Sequence, residues 1–576
     1  MKNIWKLLDK EDKNYFFFMM LLVVICTFLE ALSIGLLLPI LVTLSDANFF
    51  EIYPSFNFIN KFLNYPNNLD LIMITIIFFS LIYILKNIFL TFYTIQEGRF
   101  CHTIDEKLSK KIFKFYITKN YTFHTKNNSS KMINRIKTDL SDVNLSIQYL
   151  LILLSELFII LGIVCLLLIL EPKGFMISGL IILISSLMYY FLTTKKIKSL
   201  GKEKQKMEAL KTKKLLEGFS GIKEIKSFVL ENFFLQDYNL MSPSRIKLFT
   251  TWNLFKKFPK IFYETVAILG IIVLTITIYL NDEKSNLILP ILGIFAASAF
   301  RVIPSLNKIL SAFQVIKFSS YTTGIVSKDL SNEVKLDNIH VDSVSSEKVN
   351  FKKIIRLKNI NFKYEDTKDF VFNNLNLEIN KNDFVAITGE TGSGKSTLVD
   401  IILGLLEVEN GSIFIDDVNV TKDCSKLREV TGYVPQFTYL FDTSIKKNIC
   451  LGAKDFKFED VHFEKCLEIC QLKEFVNSLQ NNSDTIVGEQ AVRLSGGQRQ
   501  RLGIARALYK KPKILILDEA TNALDKETED KFFRSLIEAK KDLTILFITH
   551  KTDLNKNFNK IYKVSNKEIT LTYNEK

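Results

Sequence analysis

Apolar residues crowd into about the first three hundred positions of the chain, where they form about six runs separated by polar segments. Each run is close to the roughly 20 residues that an α-helix needs to cross a bilayer. We therefore predict an α-helical transmembrane domain over residues 1–318. Its six predicted spans are residues 15–44, 71–95, 147–170, 174–193, 260–280 and 287–313.

The polar segments between these spans differ in charge. Three of them are poor in Lys and Arg, and two are rich in both. The positive-inside rule places the two basic segments in the cytoplasm, and both chain termini with them. The poor segments are residues 45–70, 171–173 and 281–286, and the basic segments are residues 96–146 and 194–259.

Both basic segments also have apolar residues at helical spacing. Ile104, Leu108 and Ile112 recur in the first segment, and Leu215 and Phe219 recur in the second. This spacing predicts helices. We therefore expect the spans to continue into the cytoplasm as long helices that return through short turns.

Three polar regions flank or connect the spans. Residues 1–14 have an apolar side and are predicted either as an amphipathic helix on the membrane surface or as a solvated N-terminus. Residues 45–70 are predicted either as an interfacial helix or as a loop packed on the span ends. Residues 319–350 lack a long apolar pattern and are predicted as a linker to a soluble domain over residues 351–576.

Composition agrees with a membrane half and a soluble half. The 576 residues exceed what one core usually holds, and 48% of them are hydrophobic. The formal net charge of +14 would also suit nucleic-acid binding. Basic loops beside an anionic membrane face explain this charge better, so we predict no nucleic-acid partner.

The cysteines and the N-terminus exclude further classes. None of the seven cysteines falls in a predicted outside segment or in a CxxC pair, so we expect neither a disulfide framework nor a cysteine metal site. The first apolar run is too long for a cleavable signal peptide and lacks a small-residue cleavage site after it.

The soluble half contains a phosphate-binding loop of the form G-x-x-x-x-G-K-[ST]. Its backbone N–H groups and the following helix N-terminus favour a polyphosphate. In this pattern Lys395 neutralises the terminal phosphates and Ser396 holds Mg²⁺. The predicted ATP-binding residues here are Gly389, Glu390, Thr391, Gly392, Ser393, Gly394, Lys395, Ser396 and Thr397.

Two acids follow a second apolar run. Residues 514–517 read as a buried parallel strand, and Asp518 and Glu519 lie at its carboxyl end. Downstream of a phosphate loop, we expect Asp518 to hold Mg²⁺ and Glu519 to act as the general base toward water. The sequence therefore predicts an α/β P-loop ATPase domain with ATP and Mg²⁺ as cofactors.

A third motif between them identifies a family. The segment LSGGQ, together with the two motifs above, resembles ATP-binding-cassette (ABC) ATPases from about residue 354 to the C-terminus. This resemblance implies that the motif completes the ATP site of a second cassette. The residues it assigns to ATP in this way are Ser495, Gly496, Gly497 and Gln498.

The resemblance also assigns single residues. It implies that Tyr364 stacks on adenine and that Gln436 contacts Mg²⁺ and water. It implies that His550 contacts the γ-phosphate and that Asp525 belongs to a loop communicating across the dimer. Residues 487–489 resemble the segment that contacts the membrane domain in exporters, but Ala491 stands where the family often has Gly.

Six spans fused ahead of one cassette resemble a half-size exporter. One chain then carries one cassette, so the resemblance implies a dimer with two ATP molecules between subunits, in the simplest case a homodimer. We expect transport coupled to ATP hydrolysis because Glu519 is present.

Charged residues within spans are candidates for the transported substrate's site. The cations are Lys86, Lys260 and Arg301, and the acids are Glu30, Glu156 and Glu264. One interpretation pairs them as structural salt bridges. The other is a ring of cations that binds an anionic headgroup such as a pyrophosphate.

The membrane half resembles PglK-type flippases in residues 10–14, 38–39 and 301–307. That resemblance implies flipping of undecaprenyl-pyrophosphate-linked oligosaccharides across a bacterial inner membrane, with Lys86, Lys260 and Arg301 in the cavity. Lys stands for Arg at two of these positions, and Lys lacks the bidentate fork of Arg.

Four alternatives remain open at this point. The substrate could be a lipid A-type lipid, a drug or a peptide, and the chain could instead be an ATP-gated channel or regulator.

Overall fold

The structure is a computed structural model in which the chain divides into two compact units. We call residues 1–119 and 124–344 the helical unit, and residues 120–123 and 345–576 the α/β unit. The described residues are 2–36, 40, 68–170, 172–280, 285–340, 351–365, 367, 369–452, 458–488, 494–522, 525–538, 542–550 and 558–574.

Helices account for the described part of the chain before residue 341. They are α1 Lys2–Leu7, α2 Lys10–Gly35, α3 Asn68–Ile117, α4 Tyr121–Lys126, α5 Ser129–Asn134, a π-helical turn Arg135–Asp139, α6 Leu140–Leu170, α7 Pro172–Ser220, α8 Ile222–Ser227, α9 Glu231–Asn239, α10 Ser242–Leu280, α11 Ser285–Phe318 and α12 Ser320–His340.

The described parts of the predicted spans fall on long helices, and residues 37–39 and 41–44 of the first span lie outside the described residues. Within the described residues, three stretches are long and apolar enough to cross a membrane, namely Lys10–Ser33, Asp70–Ile117 and Ser129–Cys165. The last three predicted spans fall within α7, α10 and α11. Helices α3 and α7 run for 50 and 49 residues, about twice what a bilayer requires, so the predicted helical extensions are confirmed.

The helical unit buries its apolar residues between neighbouring helices. Helix α6 packs against α2, α3 and α11, and α7 packs against α10 and α11. Helix α1 forms at the N-terminus with Ile4 and Leu7 buried, and it packs against α12. Residues 2–7 are therefore helical, whereas their position on the membrane surface stays a prediction.

Two predicted connections are only partly described. Most of the outside segment, residues 45–67, lies outside the described residues. The predicted linker begins with α12, whose first turns are buried at Thr322, Thr323 and Val326. Residues 341–350 lie outside the described residues, so the domain boundaries stay a prediction.

The α/β unit contains two sheets with helices around them. Its strands are β1 Ile354–Phe362, β2 Phe372–Asn380, β3 Phe384–Thr388, β4 Asn410–Ile415, β5 Val418–Asn419, β6 Thr431–Val434, β7 Ile514–Asp518, β8 Thr544–Ile548, β9 Lys560–Ser565 and β10 Glu568–Asn574. Its helices are α13 Lys395–Ile402, α14 Ser425–Val430, α15 Ile445–Ile449, α16 Asp460–Ile469, α17 Lys473–Asn477, α18 Gly496–Tyr509 and α19 Lys526–Glu538, with 3₁₀ turns Cys450–Gly452 and Asn482–Asp484.

The strand order brings the predicted motifs to one edge. The larger sheet has the order β10-β9-β3-β8-β7-β6, and β9, β3, β8, β7 and β6 run parallel. Ile387 and Asp518 both pair with Ile548 of β8, so the carboxyl ends of β3, β8 and β7 lie side by side. Ligands of open parallel sheets bind at such an edge. The smaller sheet, β2-β1-β4-β5, is antiparallel.

Candidate functional site

The phosphate loop connects β3 to α13. Every residue of β3 from Phe384 to Ile387 is buried, as expected for a central parallel strand. Gly394 has φ +103° and its Cβ would lie 3.0 Å from the Phe372 ring, so a larger residue would strain this turn. Helix α13 begins at Lys395, and the predicted order of strand, loop and helix is thus present.

Two side chains of this loop are placed where they could bind an anion. The Lys395 ammonium donates to the carbonyls of Gly389 and Glu390, at 2.7 and 2.9 Å, and curls over the loop. The Ser393 hydroxyl oxygen is buried without a hydrogen-bond partner among the described residues. A buried unpaired hydroxyl is costly, and a phosphate oxygen would satisfy it.

Asp518 joins the phosphate loop to the second motif. The hydroxyls of Ser396 and of Tyr433, which comes from β6, lie beside the Asp518 carboxylate and favour its charged form. Burial and then repulsion by Glu519 raise the pKa of Asp518. A divalent cation would relieve both effects. Ser396 and Asp518, the two predicted Mg²⁺ ligands in this contact, are therefore together.

A further carboxylate that the sequence analysis missed lies next to Asp518. Burial and then the Asp518 charge raise the pKa of Asp400 to about 6. Asp400 follows Ser396 by four positions on α13, so both side chains lie on one helix face. This four-residue spacing is the feature of the sequence that could have identified Asp400 as part of the site. The contact of Tyr433 with Asp518 had no comparable local signal.

Glu519 contacts the two other predicted catalytic residues, Gln436 and His550. Gln436 Nε2 donates to Glu519 Oε2 at 2.7 Å, and Asn522 Nδ2 donates to the same oxygen at 3.0 Å. His550 Nδ1 lies 3.5 Å from Glu519 Oε1. The carboxylate is thus held between two amides and an imidazole at the edge of the sheet, where it could take a proton from water.

The predicted adenine-stacking residue stands beside this site. Tyr364 is exposed, and its hydroxyl lies 3.0 Å from the Thr397 hydroxyl on α13. The ring of Phe362 supports it edge-on, with centroids 5.1 Å apart. An exposed aromatic face next to a phosphate loop is able to stack on a base.

The LSGGQ segment caps a helix. The Ser495 hydroxyl accepts from Gln498 N at 3.2 Å, and Gln498 Oε1 accepts from Ser495 N at 2.9 Å, which together form a capping box on α18. Among the described residues, neither side chain hydrogen-bonds to the phosphate loop of the same chain. Gly496 and Gly497 form the first turn of α18, where backbone N–H groups favour an anion.

Asp525 also caps a helix. Its carboxylate accepts from Thr528 N at 2.9 Å and from the Thr528 hydroxyl at 2.8 Å, at the start of α19. The backbone bond from Thr528 is the main cause that lowers the pKa of Asp525. The neighbouring residues 523 and 524 lie outside the described residues, as do Glu489 and Ala491.

The residues present fit a magnesium–nucleotide complex. Hydroxyl, amide and carboxylate oxygens from Ser396, Gln436 and Asp518 are of the type that Mg²⁺ prefers, with phosphates completing the shell. The unpaired Ser393 hydroxyl and the glycine turn suit the phosphates. Over the described ranges, no group of three or more His, Cys, Asp or Glu side chains is arranged to hold a metal by itself.

In the helical unit, the structure brings two of the three predicted cavity cations together. Glu30 Oε1 accepts from Arg301 Nε at 2.7 Å, and Glu30 Oε2 lies 3.4 Å from Lys86 Nζ. Lys260 is elsewhere, exposed and 4.0 Å from Glu264 on its own helix. Both earlier interpretations describe part of this arrangement, since the cations cluster and yet are paired with acids.

The sequence analysis missed a third cation near this cluster. Lys308 Nζ lies 2.5 Å from Glu156 Oε1, and Ser305 donates to Glu156 Oε2 at 2.7 Å. Arg301 Nη1 is 3.9 Å from the same Glu156 oxygen. Lys308 follows Arg301 by seven positions, which is two helical turns along the same face of α11. This spacing is the feature of the sequence that could have identified Lys308.

Comparison with known families covers most of the chain. Residues 372–522 match the ABC transporter family, and residues 14–299 match the ABC transporter transmembrane region. The first match contains the phosphate loop, LSGGQ and both acids. The second contains five of the six predicted spans and the beginning of the last.

Single relatives agree with these matches. An export ATP-binding/permease protein of Rickettsia bellii is 28% identical over 82% of each chain. The ATP-dependent lipid A-core flippase of Haemophilus influenzae is 37% identical, but over only 38% of each chain, and several other curated relatives are likewise matched over about a third of their length. A bacterial Atm1-family ABC exporter with ATP bound has the same fold, with a TM-score of 0.76 over 94% of each chain at 19% identity.

Proposed function

The chain belongs to the ABC transporter family, with the architecture of a half-size exporter, and from this premise we propose that it is an ATP-driven flippase for an anionic lipid. The cargo we propose is an undecaprenyl-pyrophosphate-linked oligosaccharide. It would move from the cytoplasmic to the outer leaflet of a bacterial inner membrane. Both termini and the α/β unit would then be cytoplasmic.

The proposed working unit is a homodimer with two ATP molecules between its α/β units. In each site the phosphate loop of one copy would bind the triphosphate. The Ser495 hydroxyl and the first-turn N–H groups of the other copy's α18 would cap the γ-phosphate. Such a sandwich fits the LSGGQ segment, which makes no hydrogen bond to its own phosphate loop among the described residues.

Hydrolysis would depend on the residues around Glu519. Bound Mg²⁺ would neutralise phosphate charge and would be held by Ser396, Gln436 and Asp518. Glu519 accepts the proton of the attacking water, and Gln436 and His550 orient that water and the γ-phosphate. Lys395 leaves the carbonyls of its own loop and neutralises the phosphates.

The charge cluster in the helical unit is the observation that supports an anionic cargo. Lys86 and Arg301 lie on different helices, α3 and α11, and both are held within reach of one carboxylate. Cations within spans are costly and are usually kept for function. Two of them, doubled by dimer symmetry, would suit the phosphates of a headgroup.

The deciding experiment is reconstitution in liposomes with fluorescent lipid-linked oligosaccharides, scored by ATP-dependent loss of access from one leaflet. The double variant Lys86→Ala and Arg301→Ala should lose translocation and keep basal ATP hydrolysis. Lys110→Ala, which changes an exposed lysine of the same helix α3, is the matched control. Full translocation by the double variant would mean that Lys86 and Arg301 do not bind the cargo and have only a structural role.

A lipid A-type cargo is the second candidate, because curated lipid A-core flippases are among the relatives. Including a fluorescent lipid A in the same assay separates the two. Transport of lipid A without transport of the oligosaccharide lipid would show that the cargo is a lipid A-type lipid.

A further inference from the structure

Glu30 is one anion placed between two cations. Its two carboxylate oxygens contact different partners, Arg301 Nε at 2.7 Å and Lys86 Nζ at 3.4 Å. The side chains of Lys86 and Glu30 are only 10% and 12% exposed. Water therefore screens these contacts weakly, and the ions interact strongly.

Among the residues that the structure describes, Glu30 is the main counter-ion of both cations. Glu156 reaches Arg301 only at 3.9 Å and is bound directly by Lys308 and Ser305. The Lys86 ammonium also lies 4.1 Å from the centroid of the Tyr83 ring, which is a contact without a full negative charge.

We propose that Glu30 is an internal competitor of the cargo, whose carboxylate occupies the anion site on Lys86 and Arg301 until a headgroup displaces it. This inference rests on the proposed function and adds a release step to it. When the headgroup leaves, Glu30 returns to the two cations, so neither they nor the carboxylate remains unpaired.

The charges explain why a pyrophosphate would be able to displace Glu30. A carboxylate brings one negative charge to two cations, whereas a pyrophosphate diester brings two charges and several oxygens. Charge-assisted bonds from both cations to phosphate oxygens then offset the loss of the two Glu30 contacts. A headgroup with one charge would only replace one anion by another, so its gain would be small.

A purely structural role for Glu30 predicts the opposite effect of mutation. If Glu30 only held Lys86 and Arg301 in position, then removing its charge would leave two cations unpaired and misplaced, and the cargo would bind more weakly. If Glu30 competes, removing its charge frees the site. Glu30→Gln keeps the side-chain shape and an oxygen that accepts from Arg301, so it separates the two roles.

The test measures binding of undecaprenyl pyrophosphate to the detergent-solubilised full chain by native mass spectrometry. Glu30→Gln should lower the Kd by roughly tenfold and slow translocation in liposomes, because release is impaired. Glu30→Asp, whose shorter carboxylate does not span both cations, should give an intermediate Kd. Glu106→Gln, an exposed glutamate on the same helix as Lys86, should bind like the unmodified chain.

Three outcomes would overturn the inference. The first is an unchanged or higher Kd in Glu30→Gln. The second applies if Glu30→Gln does not fold, and is a higher Kd in Glu30→Asp. The third is that the unmodified chain does not bind undecaprenyl pyrophosphate. The first two leave the proposed function intact if the unmodified chain still flips oligosaccharide lipids in the leaflet assay. Loss of that flipping by the unmodified chain refutes the proposed function itself.

Discussion

Gln436 and Glu519 form a direct side-chain contact, with Nε2 of the amide 2.7 Å from Oε2 of the carboxylate. Glu519 also has φ +49°, a left-handed conformation that few residues other than glycine adopt. The backbone and the amide together therefore fix the direction in which the carboxylate points. Gln436 is thus one of the groups that orient this carboxylate.

This contact predicts that Gln436→Ala impairs turnover more than binding. Without the amide, Glu519 loses one of its orienting donors, and we expect kcat for ATP to fall roughly ten- to a hundredfold with little change in KM. Steady-state phosphate release from the full chain measures both. Gln471→Ala, which removes an amide away from the site, is the control. An unchanged kcat in Gln436→Ala would mean that Gln436 does not position Glu519.

Glu519→Gln should separate ATP binding from hydrolysis. The variant keeps the shape of the side chain but does not accept a proton, so turnover should fall at least about a hundredfold. ATP should still bind and hold two copies together, which size-exclusion chromatography with ATP would detect. Glu527→Gln, an exposed glutamate on α19, is the matched control. A normal hydrolysis rate in Glu519→Gln would remove the assigned base.

Local sequence was enough to predict the phosphate loop and the two acids at the end of β7, because short motifs determine both of these turns. Asp400 was also within reach, since it follows Ser396 by one helical turn. Tyr433 was not, because its contact with Asp518 depends on the register of two parallel strands far apart in sequence. The fold class followed from apolar runs and the three motifs, and the comparisons confirm it.

Pairing between the long helices could not be predicted in the same way. Arg301 and Glu30 are 271 positions apart, and no periodicity relates α11 to α2. The sequence analysis grouped Lys86, Lys260 and Arg301 because all three lie in predicted spans and match the resemblance, while the structure places Lys260 beside Glu264. Which embedded charges meet is decided by helix packing, which the pattern of one helix does not contain.

The raised pKa of Asp400 predicts a pH-dependent stability. Its pKa rises from the ordinary 3.8 to about 6 because of burial and the neighbouring Asp518. The folded state therefore binds this proton more tightly than the unfolded state. Deprotonation of Asp400 therefore lowers the free energy of unfolding as pH rises from about 4 through 6. Above that range Asp400 is fully charged, and the destabilisation no longer increases.

Asp400→Asn should remove this cost in the nucleotide-free protein. We expect its melting temperature to exceed that of the unmodified chain by a few degrees at pH 7.5, and the difference to shrink toward pH 5. Thermal unfolding in EDTA, without ATP, measures the difference at both pH values. Asp369→Asn changes an exposed carboxylate and is the control. A difference that is the same at both pH values would contradict the prediction.

Gly201 of α7 lies against the end of α11 so closely that a Cβ there would overlap the backbone carbonyl of Phe318. The Phe318 ring is stacked on Trp252 of α10, with centroids 4.0 Å apart, so three helices meet at this glycine. Gly201→Ala should push α7 away and disturb the stack, at a cost of roughly 1–3 kcal/mol. Thermal unfolding followed by tryptophan fluorescence reports on this contact directly.

Gly218→Ala on the same helix is the matched control for Gly201→Ala. Among the described residues, no atom beyond its chain neighbours and its own helix backbone lies within 4 Å of the added Cβ, so only the gain in helix propensity of about 1 kcal/mol or less remains. The two variants make the same chemical change, and we expect opposite shifts in melting temperature. If Gly201→Ala also melts higher than the unmodified chain, then α7 and α11 are not in the close contact described, because an added methyl group would otherwise have no room.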